Sequence, residues 1–249
     1  MDTTAILHST EHRPWPLPAE PWIMTQIWSD LLFIHWPIEH HLLRKLVSPQ
    51  LSLDTFDGQC WLGIVPFRMS HVTPRGLPPL PWISQFPELN VRTYITVNGI
   101  AGVYFFSLDA ANQLAVALAR RFFHLPYFHS QMSCLRSGDT IHYSSHRMHH
   151  STPPAEFVAS YRPIAPPTYP QTGTLEHWLT ERYCLYTVAN QHVIRCDIQH
   201  RRWPLQAAEL ELQSTTIARA AGIQLPDSRP LLHYSQRQEV LTWPLRRIC

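Results

Sequence analysis

The sequence predicts an α+β fold: a curved, mostly antiparallel β-sheet with a few covering helices. Three observations carry that prediction. Runs rich in β-branched, aromatic and aliphatic residues recur along the whole 249-residue chain and have the length of strands. Asp57-Gly58 and Asn98-Gly99 sit between such runs, and both turn residues tolerate the positive φ that a tight hairpin demands. Helical periodicity is confined to a few segments, with no regular strand–helix–strand alternation, which points away from a parallel sheet.

Taken in order, residues 1–21 are polar and then proline-rich, ending HRPWPLPAEP. They predict an arm laid on the surface of a single domain spanning 22–249. Met24–Trp36 predicts a strand that Pro37 stops. Ile38–Val47 carries Ile38, Leu42, Leu43 and Leu46 at helical spacing. LSLDTFDGQCWLGIVPF predicts a hairpin about Asp57-Gly58. Residues 73–87 hold five prolines, at 74, 78, 79, 81 and 87, a density that predicts a long ordered loop.

LNVRTYITV, Asn98-Gly99 and VYFFSL form the clearest hairpin. Asp109 is the expected N-cap of the next helix. That helix has Ala111, Leu114, Ala115, Leu118 and Phe122 on one face, and Pro126 ends it. Two strands flank Ser137-Gly138-Asp139, a second proline-rich loop spans 163–170, and a short helix covers Leu175–Arg182. The C-terminal part predicts strands at Tyr183–Val188 and Val193–His200, a short helix, and a final pair at Leu231–Tyr234 and Glu239–Trp243. In IRCDIQH, Ile194, Cys196 and Ile198 alternate with Arg195, Asp197 and Gln199, so one face is expected buried and the other polar.

Composition narrows the function classes. The chain is 45% apolar and 15% charged, with a net charge of +2, which fits a packed domain and gives no basic track for nucleic acid. Its five cysteines form no CxxC pair and predict free thiols in a reducing compartment. No basic stretch followed by an apolar run opens the chain, and no apolar stretch is long enough to span a bilayer. The expectation is a cytoplasmic protein with no membrane segment.

One strand carries candidate chemistry. Glu88, Asn90, Arg92 and Tyr94 fall at every second position, with Val91, Thr93, Ile95 and Val97 between them. A regular strand turns the first four to one face. After Pro126, Tyr127, His129 and Gln131 repeat that spacing. A guanidinium grips a carboxylate with two hydrogen bonds, and a carboxyl handles a proton. The same spacing also describes a solvent-facing strand with a local Glu–Arg pair.

Sixteen histidines raise the question of a metal. His40-His41 and His149-His150 are sequential and point apart on regular structure, and no HExxH spacing occurs. No metal or other cofactor is expected. GxSxG, P-loop and GxGxxG motifs are missing. Ser107 beside Asp109 is most simply a strand-end hydroxyl.

The runs PWPLPAEPWIMTQIWSDLLFIHWPI, LDTFDGQCWLGIVPFRM, RGLPPLP, FPELNVRTYITVNG, GVYFFSLDA, ARRFFHLPYF and LTERYCLY resemble the YqjF-like family of uncharacterised proteins, over residues 12 to 245. That family is considered similar in fold to acetoacetate decarboxylases, so the resemblance implies a β-cone with an internal cavity. Acetoacetate decarboxylases carry a GREL-aromatic-GFPKK segment, and Ala119–Phe128 is the corresponding stretch. Arg120 and Pro126 match it, while Tyr127 and Phe128 stand where the paired lysines would be. Glu88 falls near a site glutamate of that family. Schiff-base chemistry needs an unprotonated amine, and the single lysine, Lys45, lies on an amphipathic segment whose lysine is most simply solvated.

The functional expectation is therefore an internal site for a small organic acid or keto compound, serving binding or non-covalent acid/base chemistry without a Schiff base. Glu88 and Tyr127 are the candidate catalytic pair, and Arg92, Asn90, Tyr94, Arg120 and His129 the candidate ligand contacts. Assembly into a homo-oligomer is left open. The rival expectation is a protein-interaction module using the proline-rich loops and Trp82.

Overall fold

The computed structural model describes residues 1–78, 84–149 and 152–248. Twelve strands follow one another as β1 (Met24–Ile38), β2 (Ser52–Leu53), β3 (Cys60–Pro74), β4 (Phe86–Val97), β5 (Ile100–Ala110), β6 (Tyr127–Ser137), β7 (Thr140–Arg147), β8 (Glu156–Pro163), β9 (Cys184–Ala189), β10 (His192–Gln199), β11 (Gln206–Thr215) and β12 (Leu231–Arg247). The helices are α1 (Thr3–His8), α2 (His40–Arg44), α3 (Gln113–Phe123), α4 (Leu175–Thr180) and α5 (Ile217–Ala220). The strands form one sheet, antiparallel except where β5 pairs with β6 and β9.

The pairing closes on itself twice. Nine strands run β5-β6-β7-β8-β11-β12-β1-β3-β4 and return to β5. β9 and β10 bridge β5 to β12, making a second ring with β1, β3 and β4. The shared strands thus have two interior faces, and their alternation sorts side chains between them. Leu32, Ile34, Ile64, Leu89 and Val91 enter a dry core with Tyr143, Phe157 and Tyr161. Leu31, Phe33, Val65 and Phe67 face the other way, with Trp203. Each such side chain, fully buried, contributes about 1.5–3 kcal/mol.

The hairpin at Asn98-Gly99 forms as expected: φ is 51° and 76° at the two turn residues, and Val97 faces Ile100. Gly102 allows the second ring to close, since a Cβ there would lie 2.7 Å from Cys184 Sγ and from the Tyr186 ring.

Several local expectations are corrected. Pro37 does not stop β1, which runs on to Ile38 against β3. Pairing with β12 ends at His35, so no partner on that side needs the missing N–H. The helix expected over Ile38–Val47 is only His40–Arg44. The hairpin at Asp57-Gly58 shrinks to a Phe56–Gln59 bridge, and β2 pairs with β4 instead. Strands β3 and β4 take both ends of the loop expected at 73–87, and residues 79–83 lie outside the described residues.

Asp109 does not cap α3. It is the buried penultimate residue of β5, and Asn112 caps the helix by accepting from Ala115 N at 3.0 Å. The apolar face of α3 does not pack on a closed core: Ala115, Leu118 and Phe122 border a cavity, and Leu114 is 53% and Phe122 63% exposed. QAAELELQST forms strand β11, because pairing with β8 overrides its helix-favouring composition, and the short helix expected before the last strands is α5. The final pair of strands is one strand, β12. The polar face of β10 is not solvated either. Residues 1–21 lie over it, and Arg13 donates to Gln199 Oε1 at 2.9 Å and pairs with Asp197 at 3.4 Å.

Among the described residues no helix is long and apolar enough to cross a membrane.

Candidate functional site

The second ring encloses a cavity of about 460 Å³, within the roughly 300–1,000 Å³ range of small-molecule sites. Its wall is mostly apolar, from β1, β3, β5 and β10, with α3 along one side. Glu88, Asn90 and Arg92 enter it from β4 at alternate positions, and Tyr127 from the first residue of β6. β4 and β6 both flank β5, where Glu88 is opposite Ala110 and Tyr127 opposite Leu108. The carboxyl and the phenol therefore meet across the strand between them.

The Tyr127 hydroxyl donates to Glu88 Oε2 at 2.9 Å. Burial pushes the Glu88 carboxyl up to about 8, the charge of nearby Asp109 adds to the rise, and the bond from Tyr127 opposes it. Burial, with the neighbouring carboxyl, drives the Tyr127 phenol well above its ordinary value. At neutral pH both groups hold their protons. Their backbone supports are buried too. The Tyr143 hydroxyl donates to the Glu88 carbonyl at 2.7 Å, and Asp109 takes a two-point contact from Arg147 at 2.8 and 2.7 Å.

The opposite end of the β4 row is cationic. Arg92 Cζ lies 5.3 Å from the Phe33 ring centre and 5.7 Å from that of Tyr94. Its Nη2 reaches the Leu179 carbonyl at 3.4 Å, and no carboxylate pairs with it among the described residues. Arg182, just past α4, comes over the same Tyr94 ring at 5.0 Å. Asp54 accepts from Arg182 Nη1 at 2.6 Å, but Nη2 is buried with no partner. Burial lowers the Arg182 guanidinium, Asp54 opposes that, and Arg92 adds to it. Beneath them His35 is held neutral by burial and by Arg92.

Arg92 Nε, Asn90 Oδ1 and Trp203 Nε1 are also buried without partners, and all three residues border the cavity. Buried polar atoms are ordinarily satisfied, so this wall has hydrogen-bonding capacity to offer a ligand. An anion fits the cationic end, and a carbonyl or hydroxyl fits the neutral Glu88–Tyr127 pair. No three metal-ligating side chains converge among the described residues.

Three expected contacts do not line the cavity. Tyr94 is on the same face as Arg92 but is roofed by Trp178, whose ring is 4.7 Å away, so α4 plugs the ring at that level. The Tyr94 hydroxyl meets His35 Nε2 at 2.6 Å instead. Arg120 points outward from the end of α3 and donates to the Tyr127 carbonyl at 2.6 Å. It positions the tyrosine rather than a ligand. His129 shares the Tyr127 face, but β6 has already left the cavity, and its N–H is held by His149 Nδ1 at 3.3 Å. Arg182 was missed by sequence reasoning. The available signal was Thr180-Glu181-Arg182, a polar triplet between the apolar Leu179 and Tyr183.

Comparison with known proteins agrees with this architecture. Residues 25–239 match the model of the DUF2071 family, described as an uncharacterized conserved protein. The uncharacterized protein YqjF of Bacillus subtilis (strain 168) is 48% identical over 231 residues, covering 93% of this chain and 95% of that one. The chain belongs to the DUF2071 family.

Solved structures extend the likeness in fold alone. Acetoacetate decarboxylase from Legionella pneumophila matches with a TM-score of 0.64 at 14% identity, over 98% of this chain and 95% of that one. The enduracididine biosynthesis enzyme MppR complexed with pyruvate matches with a TM-score of 0.62 at 9% identity, over 94% and 93%. In this DUF2071 member no lysine borders the cavity, and Lys45 follows α2 on the exposed surface.

Proposed function

We propose that the cavity binds an organic acid or keto compound and that Arg92 holds its anionic end. Asn90 and Arg182 supply further hydrogen bonds, and Glu88 with Tyr127 serves the proton or hydrogen-bond needs of a carbonyl. The observation that carries this reading is Arg92: a guanidinium without a carboxylate partner, facing into the same apolar cavity as a neutral carboxyl–phenol pair. A charge-assisted contact is strong in such surroundings. A neutral carboxylic acid in an apolar site can donate to a carbonyl oxygen or take part in proton transfer. Covalent imine chemistry is not part of the proposal, because Tyr127 and Phe128 hold the apparent lysine positions. MppR, named as complexed with pyruvate, supports a keto-acid ligand by analogy of fold only. The free thiols of Cys60, Cys134, Cys184 and Cys196 support a cytoplasmic setting.

The test is calorimetry with acetoacetate and 4-oxopentanoate, together with proton NMR in deuterium oxide. Binding that Arg92→Met weakens supports the site. Deuterium uptake beside the ketone that Glu88→Gln abolishes makes it an enzyme, and binding without uptake makes it a binder. Failure of every keto acid and simple carboxylate to bind sinks the proposal. The rival interaction module has less behind it. Ile164 and Tyr169 of the second proline-rich loop are exposed, but scattered apolar side chains are ordinary, and Trp82 lies outside the described residues.

A further inference from the structure

Resting on that reading of the site, we infer that the natural ligand is a carboxylic acid with a long apolar body, a medium-chain or aryl-alkyl acid, rather than a short polar keto acid. The cavity is elongated. Its β4 wall runs from Phe86 to Arg92, six residues or about 20 Å of strand. Arg92 and Arg182 stand at one end, opposite Gly63 of β3 and against the α4 plug. Met24, Val72, Pro74 and Phe86 stand at the other, where β3 pairs with β1 and with the start of β4.

Glu88 and Arg92 are four residues apart, about 13 Å along the strand. The Arg92 guanidinium lies between the rings of Phe33 and Tyr94, 5.3 and 5.7 Å from their centres. A carboxylate seated on it leaves most of that length to the rest of the ligand, and an extended body of up to roughly ten atoms follows it, at three bonds per residue of extended strand. Apart from Asn90, what lines that stretch is apolar: Phe33, Val65 and Phe67 from one side, Phe105, Leu108 and Leu118 from the other. A three- or four-carbon acid would fill only a small part of about 460 Å³ and leave these walls to water. A chain would exchange that water for apolar contact.

The experiment is calorimetry on the 249-residue chain with butanoate, hexanoate, octanoate and decanoate. Decan-1-ol and decylamine are the head-group controls. Burial of each methylene predicts a gain of about fourfold in affinity, levelling off once the cavity is filled. Decanoate is expected to bind at least about a hundredfold more tightly than hexanoate and better than either control. Arg92→Met should erase the preference for the acid over the alcohol. Ala119→Phe, which narrows the α3 wall, should weaken decanoate more than tenfold and leave butanoate unchanged, with circular dichroism confirming the fold. The wild-type series decides the matter if that variant misfolds. Affinity that stays flat with chain length overturns the inference. If acetoacetate and butanoate still bind through Arg92, the proposed site survives without it; if no acid of any length binds, both fall.

Discussion

Tyr127 and Glu88 come from strands that are not paired with each other, yet the tyrosine hydroxyl donates to the carboxyl at 2.9 Å across β5. Glu88 sits at about 8 instead of its ordinary 4.5, and this fixes the sign of its effect on stability. Below about pH 4.5 the carboxyl is neutral folded and unfolded. Between about 4.5 and 8 it ionises only when unfolded, so unfolding releases a proton and stability falls as pH rises, by at most about 1.4 kcal/mol per unit. Above about 8 the effect levels off. Glu88→Gln is expected to flatten the slope and to be relatively more stable at pH 8 than at pH 5. Urea melts of both proteins from pH 5 to 9 check it, and parallel curves contradict a buried neutral carboxyl.

Tyr127→Phe removes the one hydrogen bond that favours ionised Glu88. The Glu88 titration should then move further up, as read by carbon NMR of labelled glutamate. A downward move would mean that the bond supports the neutral form instead.

Arg92→Met should weaken an anionic ligand by roughly 1.5–3 kcal/mol, the usual worth of a hydrogen bond to a charged group. The fold should remain, because no carboxylate loses its counter-ion among the described residues. A large loss of thermal stability would show Arg92 to be structural.

Borohydride with acetoacetate should leave no reduced imine on any peptide lining the cavity, because no lysine borders it and Lys45 is exposed. Mass spectrometry of digested protein reads the result. An adduct on Lys45 that a competing acid suppresses would return a Schiff-base mechanism.

The N-terminal arm should prove part of the packed structure. Ile6 is fully buried against Leu241 and Trp243, so Ile6→Ala is expected to cost about 2–5 kcal/mol. Chemical denaturation measures this, and a change under about 0.5 kcal/mol would show the arm to be loosely laid.

Local chemistry was legible in the sequence wherever one strand or one turn decides the outcome. The period of two along β4 set Glu88, Asn90 and Arg92 against Leu89 and Val91, and Asn98-Gly99 announced its own hairpin through its positive φ. What lies opposite a face is a different question, because it depends on strands distant in the chain. The pairings of β9 with β5 and of β10 with β12 turned a polar row that also suits solvent into the wall of a cavity. The α4 plug took Tyr94 out of that row and brought in Arg182, while β6 carried His129 past the cavity's edge. The arm covered the polar face of β10, and the apolar face of α3 came to border a cavity, with Leu114 left exposed. Alternation and turn geometry are backbone properties of neighbouring residues, and the sequence by itself determined them. Which side chains meet, which charges stay unpaired and which carboxyl keeps its proton follow from ring closure, and only the tertiary structure decided those.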